Sequence, residues 1–124
     1  MTMSNPGAYF EIAVTDMERA RRFYAEVMGY TFTTEIIHGN EMAILPFQDT
    51  ARGITGALAK GTTYVPSLNG TLIYLSTSNI DATLKKATTS GGSILFPRTA
   101  AGDYGYVAEL KDSEGNRIGL FESK

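Results

Sequence analysis

The chain repeats itself after 63 positions, and this repeat constrains the fold more than any other feature. Residues 9–32 read YFEIAVTDMERARRFYAEVMGYTF, and residues 72–95 read LIYLSTSNIDATLKKATTSGGSIL with the same spacing of apolar positions. The residue pairs that recur at this distance include Asp16 and Asn79, Gly29 and Gly92, Asp49 and Asp112, and Gly56 and Gly119. Because twice 63 is almost the full length of 124 residues, the sequence indicates one unit that has been duplicated.

Each unit opens with the pattern of a strand followed by a helix. Residues 8–15 alternate between two faces, which is typical of a strand with one buried side. We expect the helix-facing set to be Phe10, Ile12 and Val14, and the opposite set to be Tyr9, Glu11 and Ala13. Asp16 suits a helix N-cap, and Gly29 suits the left-handed residue that ends a helix. The repeat predicts a second helix that begins after Asn79 and ends at the Gly91–Gly92 pair.

Strand patterns and turn residues complete each unit. The further strands are predicted over residues 30–37, 41–47, 54–60, 71–77, 93–97, 106–111 and 116–122. The fold class is therefore α+β, with two tandem βαβββ modules in one domain over residues 1–124. Module one spans about 8–60, a linker about 61–70, and module two about 71–124. We expect the modules to form a curved eight-stranded mixed sheet with the helices outside and a cleft between the halves.

The amino-acid composition argues against several classes of function. The chain has no cysteine, so it has no disulfide frame, thiol nucleophile or thiolate metal site. The net charge is −2 without a basic cluster, so nucleic acid is not an expected partner. No segment is apolar and long enough to cross a membrane, and the first residues lack the pattern of a signal peptide. We therefore expect a cytoplasmic protein that does not bind membranes.

Two segments carry a resemblance to a known superfamily. FEIAVTDMERARRFYAEVMGY, residues 10–30, and GDYGYVAELKDSEGNRIGLFE, residues 102–122, resemble the vicinal oxygen chelate superfamily. That superfamily includes glyoxalase I, extradiol dioxygenases and the bleomycin- and fosfomycin-resistance proteins, and this chain is similar to its small glyoxalase-like branch. The resemblance implies paired βαβββ modules around a cleft, and often a homodimer.

The resemblance also implies a divalent metal held by His, Gln or Glu from the first and last strands of each module. Matching the motifs residue by residue assigns these positions to Tyr9, Gly56, Leu72 and Gly119. Neutral tyrosine is a poor ligand, and leucine and glycine have no donor atom in the side chain. We therefore predict no metal and no other cofactor.

Three other side chains are candidate metal ligands. His38 is the only histidine and adjoins a predicted turn, which favours a surface position. Glu11 and Glu109 are carboxylates that suit Mg²⁺ or Mn²⁺, but the direction in which Glu109 faces is left open by the pattern. A metal site formed by these residues is the disfavoured alternative, and it stays open at this point.

Residues for a ligand or for catalysis are predicted on the sheet face opposite the helices. The predicted ligand-binding residues are Tyr9, Glu11, Tyr74, Tyr104, Tyr106, Arg117 and Phe121. Glycine at 56 and 119 is expected to leave room for a ligand. Glu11 is the best candidate for a general base, since a carboxylate in a partly dry cleft is a better proton acceptor than one in water. The interpretation that we favour for Glu11 is a structural ion pair with Arg117.

Two functions remain open. The favoured one is a metal-free module that binds a small apolar or aromatic molecule in the cleft. The alternative is a lyase or isomerase with Glu11 as general base. The sequence leaves open the identity of the ligand, and whether the modules pair within one chain or across a homodimer.

Overall fold

The computed structural model describes residues 5–124, which form eight strands, two α-helices and one short 3₁₀ helix. Module one contains β1 (Phe10–Ala13), α1 (Met17–Met28), β2 (Thr33–Ile37), β3 (Asn40–Ile44) and β4 (Gly56–Lys60). Module two contains β5 (Tyr74–Ser76), α2 (Ile80–Thr89), β6 (Ser93–Ala100), the 3₁₀ helix (Gly102–Tyr104), β7 (Gly105–Lys111) and β8 (Arg117–Ser123). The predicted α+β class and the two βαβββ modules are confirmed.

The eight strands are divided between two four-stranded mixed sheets. The strand order is β1-β4-β3-β2 in module one and β5-β8-β7-β6 in module two. In each sheet the first strand of the module pairs in parallel with the last, and the other neighbours are antiparallel. The predicted eight strands are confirmed. They form two four-stranded sheets, one in each module, because among the described residues no strand of one module pairs with a strand of the other.

Helix ends follow the predicted capping residues. The carboxylate of Asp16 accepts a hydrogen bond from the amide of Arg19 at 2.9 Å, and Gly29 ends α1 with φ of 74°. The side chain of Asn79 caps α2 in the same way, through the amide of Ala82 at 3.0 Å. No helix of the described residues is long and apolar enough to span a membrane.

One apolar core joins the modules beneath both helices. It contains the predicted helix-facing residues Ile12 and Val14 of β1, and Leu75 of β5 in the equivalent place. Leu58 of β4 and Leu120 of β8 are buried completely in the same core. The 63-residue repeat therefore marks two units that complete each other's core, since neither sheet covers its own apolar face alone.

The strands differ from the predictions in where they begin and end, in both modules. Strands β2 and β5 are shorter than predicted, whereas β6 extends to Ala100, beyond the predicted end at residue 97. Pro97 lies in β6 without breaking it, because β6 is the edge strand and its pairing with β7 is irregular between Ile94 and Thr99.

The turn between β7 and β8 locks module two onto module one. Asp112 is 1% exposed and accepts a hydrogen bond from the hydroxyl of Tyr24 on α1 at 2.6 Å. The side-chain amide of Asn116 donates to Asp112 at 3.0 Å and to the carbonyl of Ala13 at 2.7 Å. These bonds fix β1 and α1 of module one against the turn of module two.

Glu114, in the same turn, caps the N-terminus of α1 from the other module. One carboxylate oxygen accepts from the amides of Thr15 and Asp16, both at 2.9 Å, and the other accepts from Arg19 Nε at 2.7 Å. Burial by itself would raise the pKa of Glu114, but the bonds from Arg19, the two amides and Ser113 outweigh it and lower the pKa to about 2. The carboxylate is therefore held ionised at the module boundary.

Candidate functional site

A cavity lies between the two modules. Its volume is about 490 Å³, which is within the range of pockets that hold drug-sized ligands. Module one supplies Phe10, Tyr30 and the loop before β4, and module two supplies β5 and the residue before it. We call this space the main cavity; its lining includes Phe10, Tyr30, Arg52, Ile73, Tyr74 and Ser76.

Two glycines allow aromatic rings to lie close to the strands beside the main cavity. A Cβ atom on Gly56 would lie 2.7 Å from the ring of Phe10 and 2.0 Å from its backbone oxygen. A Cβ atom on Gly119 would lie 2.6 Å from the ring of Tyr74. The expectation that these glycines leave space for a ligand is therefore wrong in detail, because the rings of Phe10 and Tyr74 fill that space.

The two glycines also lie on opposite faces of their sheets, although they are 63 residues apart. Gly56 pairs with Phe10, whose alternate neighbour Ile12 is in the core, so Gly56 faces the helices. Gly119 pairs with Tyr74, which lies on the face opposite the core residue Leu75. Since a shift of one residue reverses the face of a strand, the true counterpart of Gly119 in module one is Ala57.

The side chains at the metal positions implied by the resemblance do not fit a divalent cation. Leu72, Gly119 and either Gly56 or Ala57 have no donor atom in the side chain. Tyr9 has a hydroxyl, but it donates to Glu11 Oε2 at 2.9 Å. Burial, the hydrogen bond and the charge of Glu11 raise the pKa of Tyr9 to about 12, so the phenol stays neutral. Within residues 5–124, no three His, Cys, Asp or Glu side chains are grouped to hold a metal.

Glu11 lies where two phenols meet. Besides the hydroxyl of Tyr9, the hydroxyl of Tyr64 donates to Glu11, at 2.8 Å to Oε1. The bond to Glu11 also raises the pKa of Tyr64. Both carboxylate oxygens are thus occupied by donors, and the side chain is solvent-exposed instead of partly dry.

The linker folds over part of the sheet of module one, on the face opposite α1. Tyr64 packs on a small apolar cluster formed by Met42, Ala57 and Ala59, all of them at most 2% exposed. We call this face, opposite the helices, the far face of the sheet. In module one the linker therefore covers the apolar part of the far face, while Glu11 at its edge stays exposed.

Arg117 pairs with Glu109 and not with Glu11. Arg117 Nε lies 2.7 Å from Glu109 Oε1 and Arg117 Nη2 lies 2.9 Å from Glu109 Oε2, a bidentate arrangement that lowers the pKa of Glu109. Glu109 is the ladder partner of Gly119, so it lies on the far face of module two. The predicted ion pair between Glu11 and Arg117 is wrong because each side chain has a nearer partner on its own module or on the linker.

Glu11 and Arg117 still line a common space. A second cavity of about 230 Å³ lies between them, bordered by the linker residues Val65 and Ser67 and by Asn116. We call it the second cavity. Its two charged groups are already partnered within the protein.

The other predicted ligand residues are dispersed. Tyr104 is 82% exposed in the 3₁₀ helix, and Tyr106 lies under the guanidinium of Arg98, 3.6 Å from the ring centroid. Phe121 pairs with Val107 and Ser76 in the sheet of module two. Of the seven predicted residues, Tyr74 lines the main cavity, Glu11 and Arg117 line the second, and Tyr9 contacts Glu11. His38 is exposed in the turn between β2 and β3.

Sequence reasoning missed Phe10, Tyr30 and Arg52 as cavity residues. Phe10 was assigned to the core face, and it is partly buried there while its ring also borders the main cavity. Arg52 belongs to a loop whose polar composition says nothing about where it folds. For Phe10, a signal was present in the sequence: Gly56 has no side chain, so it leaves room for a neighbouring aromatic ring.

Comparison with known proteins agrees with this architecture. Two curated mycobacterial proteins, both named putative glyoxylase CFP32, from Mycobacterium bovis and Mycobacterium tuberculosis, are each 24% identical over 119 residues. The match covers 93% of this chain and 44% of each relative, so the chain spans less than half the length of these relatives.

Solved structures with the same fold cover the chain almost completely. TnmS3, an antibiotic binding protein from Streptomyces sp. CB03234, has a TM-score of 0.71 at 23% identity and covers 99% of this chain and 100% of its own. A glyoxylase/bleomycin resistance protein/dioxygenase domain from Frankia sp. EAN1pec has a TM-score of 0.73 at 13% identity, with the same coverage. The family model of the glyoxalase/bleomycin resistance protein/dioxygenase superfamily matches residues 8–120. This chain belongs to that superfamily.

Proposed function

We propose that this chain binds a small apolar or aromatic molecule in the main cavity and does so without a catalytic metal. The observation that carries the proposal is the cavity of about 490 Å³ between the modules, bordered by the rings of Phe10, Tyr30 and Tyr74. An apolar cavity of roughly 150 Å³ already holds a benzene molecule. The main cavity therefore has room for a ligand of two or more fused rings.

The lining supports binding by stacking and apolar contact. Tyr74 is 48% exposed and Ile54 is 48% exposed, so both leave apolar surface uncovered at the cavity. Ser76 adds a hydroxyl that can orient a polar substituent, and the hydroxyl of Thr55, which donates to the carbonyl of Pro46 at 2.7 Å, can accept a hydrogen bond. Covering exposed aromatic surface with a ligand ring is favourable through both burial and ring geometry.

The absence of donor atoms at the implied metal positions supports a binding function over metal-assisted chemistry. A chelating site needs several His, Glu or Asp side chains, and Tyr9, Leu72 and Gly119 cannot replace them. Among the structural relatives, TnmS3 is an antibiotic binding protein, which favours sequestration of a small molecule as the role of this chain as well.

The alternative, a lyase or isomerase with Glu11 as general base, is tied to the second cavity. Its support is that Glu11 lines that cavity opposite Arg117. It is weakened because both oxygens of Glu11 already accept hydrogen bonds from Tyr9 and Tyr64, so a substrate would have to displace a phenol. Loss of turnover in Glu11→Gln, with ligand affinity unchanged, would favour this alternative.

We also propose that the chain acts as a cytoplasmic homodimer. Support for the dimer comes from exposed apolar side chains on β6, namely Ile94, Leu95 and Phe96, each between 42% and 47% exposed. Sedimentation equilibrium measures the state directly, and a concentration-independent monomer mass would contradict the dimer.

Methyl 2-naphthoate, a neutral fused-ring probe, tests the binding proposal. The chain has no tryptophan, so the fluorescence of the naphthalene can be followed with little background from the protein. We expect saturable binding to protein dialysed against a chelator, and weakening by about tenfold in Tyr74→Ala because one stacking wall is lost.

Tyr104→Ala is the matched control, because Tyr104 is more exposed and borders neither the main cavity nor the second cavity. Its affinity for the probe should equal that of the unmodified protein. Equal weakening of probe binding in Tyr74→Ala and Tyr104→Ala would contradict the proposal. Absence of saturable binding to the unmodified protein would contradict it as well.

A further inference from the structure

We infer that the molecule bound in the main cavity carries an anionic group that pairs with Arg52. This inference rests on the proposed function and adds the chemical class of the ligand: a planar, mostly apolar molecule with a carboxylate, sulfonate or similar anion at one edge.

Arg52 stands apart from the other arginines of the chain. Within residues 5–124, it has no carboxylate within 4.0 Å and donates no side-chain hydrogen bond. The other five arginines all have partners: Arg19 with Glu114, Arg22 with Glu18, Arg98 with Glu122, Arg117 with Glu109, and Arg21 with the hydroxyl of Thr34. A guanidinium with its five donors free is suited to bidentate recognition of an anion.

The position of Arg52 places this unpaired charge at the main cavity. It belongs to the loop between β3 and β4, and it borders the main cavity together with Gly53 and Ile54. The rest of that lining contains no acidic side chain and no second basic one. A ligand that stacks on Tyr74 would thus meet one positive charge and no negative charge.

The second cavity shows what a charge-balanced site in the same chain looks like. There the carboxylate of Glu11 accepts from Tyr9 and Tyr64, and Arg117 is held by Glu109. A charged ligand would have to break one of these pairs. In the main cavity an anion gains a partner without displacing one, which makes the main cavity the better site for it.

Three naphthalene probes of the same shape test the inference. They are 2-naphthoate, the neutral methyl 2-naphthoate, and the cationic 2-naphthylmethylammonium. We expect the anion to bind about tenfold more tightly than the ester, and the cation to bind more weakly than the ester. The advantage of the anion should shrink as the salt concentration rises from 50 to 500 mM, because Arg52 is exposed to solvent.

Arg52→Gln removes the charge and keeps a side chain of similar polarity. We expect it to erase the advantage of the anion while the ester binds as before, and Arg52→Lys to retain part of the advantage. Arg22→Gln changes the net charge by the same amount at an exposed position of α1, and it should leave all three affinities unchanged.

The outcomes separate this inference from the proposed function. Equal affinity for anion and ester, or an advantage of the anion that survives in Arg52→Gln, overturns the inference and leaves the proposed function standing. Loss of the advantage in Arg22→Gln also overturns it, since net charge would then explain the result. If no probe binds, both the inference and the proposed function fail.

Discussion

The two modules share a sequence skeleton, but they treat the far faces of their sheets differently. In module one the linker covers the apolar part of that face, with Tyr64 packed on Met42 and its hydroxyl bonded to Glu11. In module two the same face keeps Tyr74 48% exposed and Phe96 45% exposed. Duplication therefore supplies two equivalent surfaces, and the connecting segment covers apolar residues on one of them, whereas large aromatic side chains on the other stay half-exposed.

The residues that recur after 63 positions have likewise taken different roles. Asp112 is buried at the module boundary, whereas its counterpart Asp49 is exposed in a loop. Gly56 faces the helices, whereas Gly119 faces away from them. Each such pair offers an experiment in which the same substitution is made twice, once in each module.

The largest difference is expected for alanine at the two glycines. In Gly56→Ala the new Cβ atom meets the backbone oxygen of Phe10 at 2.0 Å, so a strand must move. We expect a loss of about 4 kcal/mol or more in the free energy of unfolding. In Gly119→Ala the nearest atoms belong to the half-exposed ring of Tyr74, which can turn away, and the loss should be about 1 kcal/mol.

Urea denaturation of both glycine variants measures these losses. Equal destabilisation would contradict the difference in facing between Gly56 and Gly119. Gly119→Ala should also weaken binding of methyl 2-naphthoate, because it displaces the ring of Tyr74 from its place beside the main cavity.

Alanine at the paired aspartates should give the next largest difference. Asp112→Ala leaves the hydroxyl of Tyr24 and two backbone amides without their buried acceptor, and we expect a cost of about 3 kcal/mol. Asp49→Ala should cost less than about 0.5 kcal/mol, since Asp49 makes no side-chain hydrogen bond to the rest of the described chain. Thermal unfolding of the two variants under one buffer condition compares them, and similar melting temperatures would be inconsistent with a buried clasp at Asp112.

The two carboxylates that cap the helices should differ least, and their effect should depend on pH. The pKa of Glu114 is lowered in the folded protein to about 2 from an ordinary 4.5. Its stabilisation is therefore present above about pH 4.5 and is lost as the pH falls toward 2. At pH 7 we expect Glu114→Gln to cost about 2 kcal/mol, and this cost should shrink below pH 4.5.

Glu122→Gln is the control within module two. Its carboxylate accepts from the amide of Ile80 at 2.8 Å and from Arg98 at 3.1 Å, so it has fewer donors than Glu114 and is more exposed. The bond from the amide of Ile80 and then the bond from Arg98 lower the pKa of Glu122 as well, but we expect Glu122→Gln to cost less at pH 7 than Glu114→Gln, because solvent screens the more exposed carboxylate. Denaturant midpoints from pH 7 down to pH 3 compare the two, and a larger cost for Glu122→Gln would refute the stronger boundary role of Glu114.

Much of the fold could be predicted because it follows from short-range patterns. The alternation in β1, the capping by Asp16 and Asn79, and the glycine at the end of α1 all act within a few residues. The repeat added the long-range information that two such units occur in one chain. These features together were sufficient for the α+β class and for the number of strands.

The candidate site could be predicted only in part because it depends on register and on loops. A constant offset of 63 placed Gly56 and Gly119 together, but the pairing of β1 with β4 differs by one residue from that of β5 with β8. The choice of partner for Arg117 depended on whether Glu109 or Glu11 lies nearer, which no pattern within one strand reveals. Arg52 lies in a loop whose path over the main cavity has no periodic signal.

The most direct test of the account is a map of where a fused-ring molecule binds to the metal-free protein. Backbone amide NMR spectra of chelator-treated protein should be recorded while methyl 2-naphthoate is added. If the molecule binds in the main cavity, the amide chemical shifts should change saturably, and the changes should cluster around that cavity, at Phe10, Tyr30, Tyr74 and Ser76. Shifts confined to Glu11 and Arg117 in the second cavity, or shifts that occur only after a divalent cation is supplied, would contradict it.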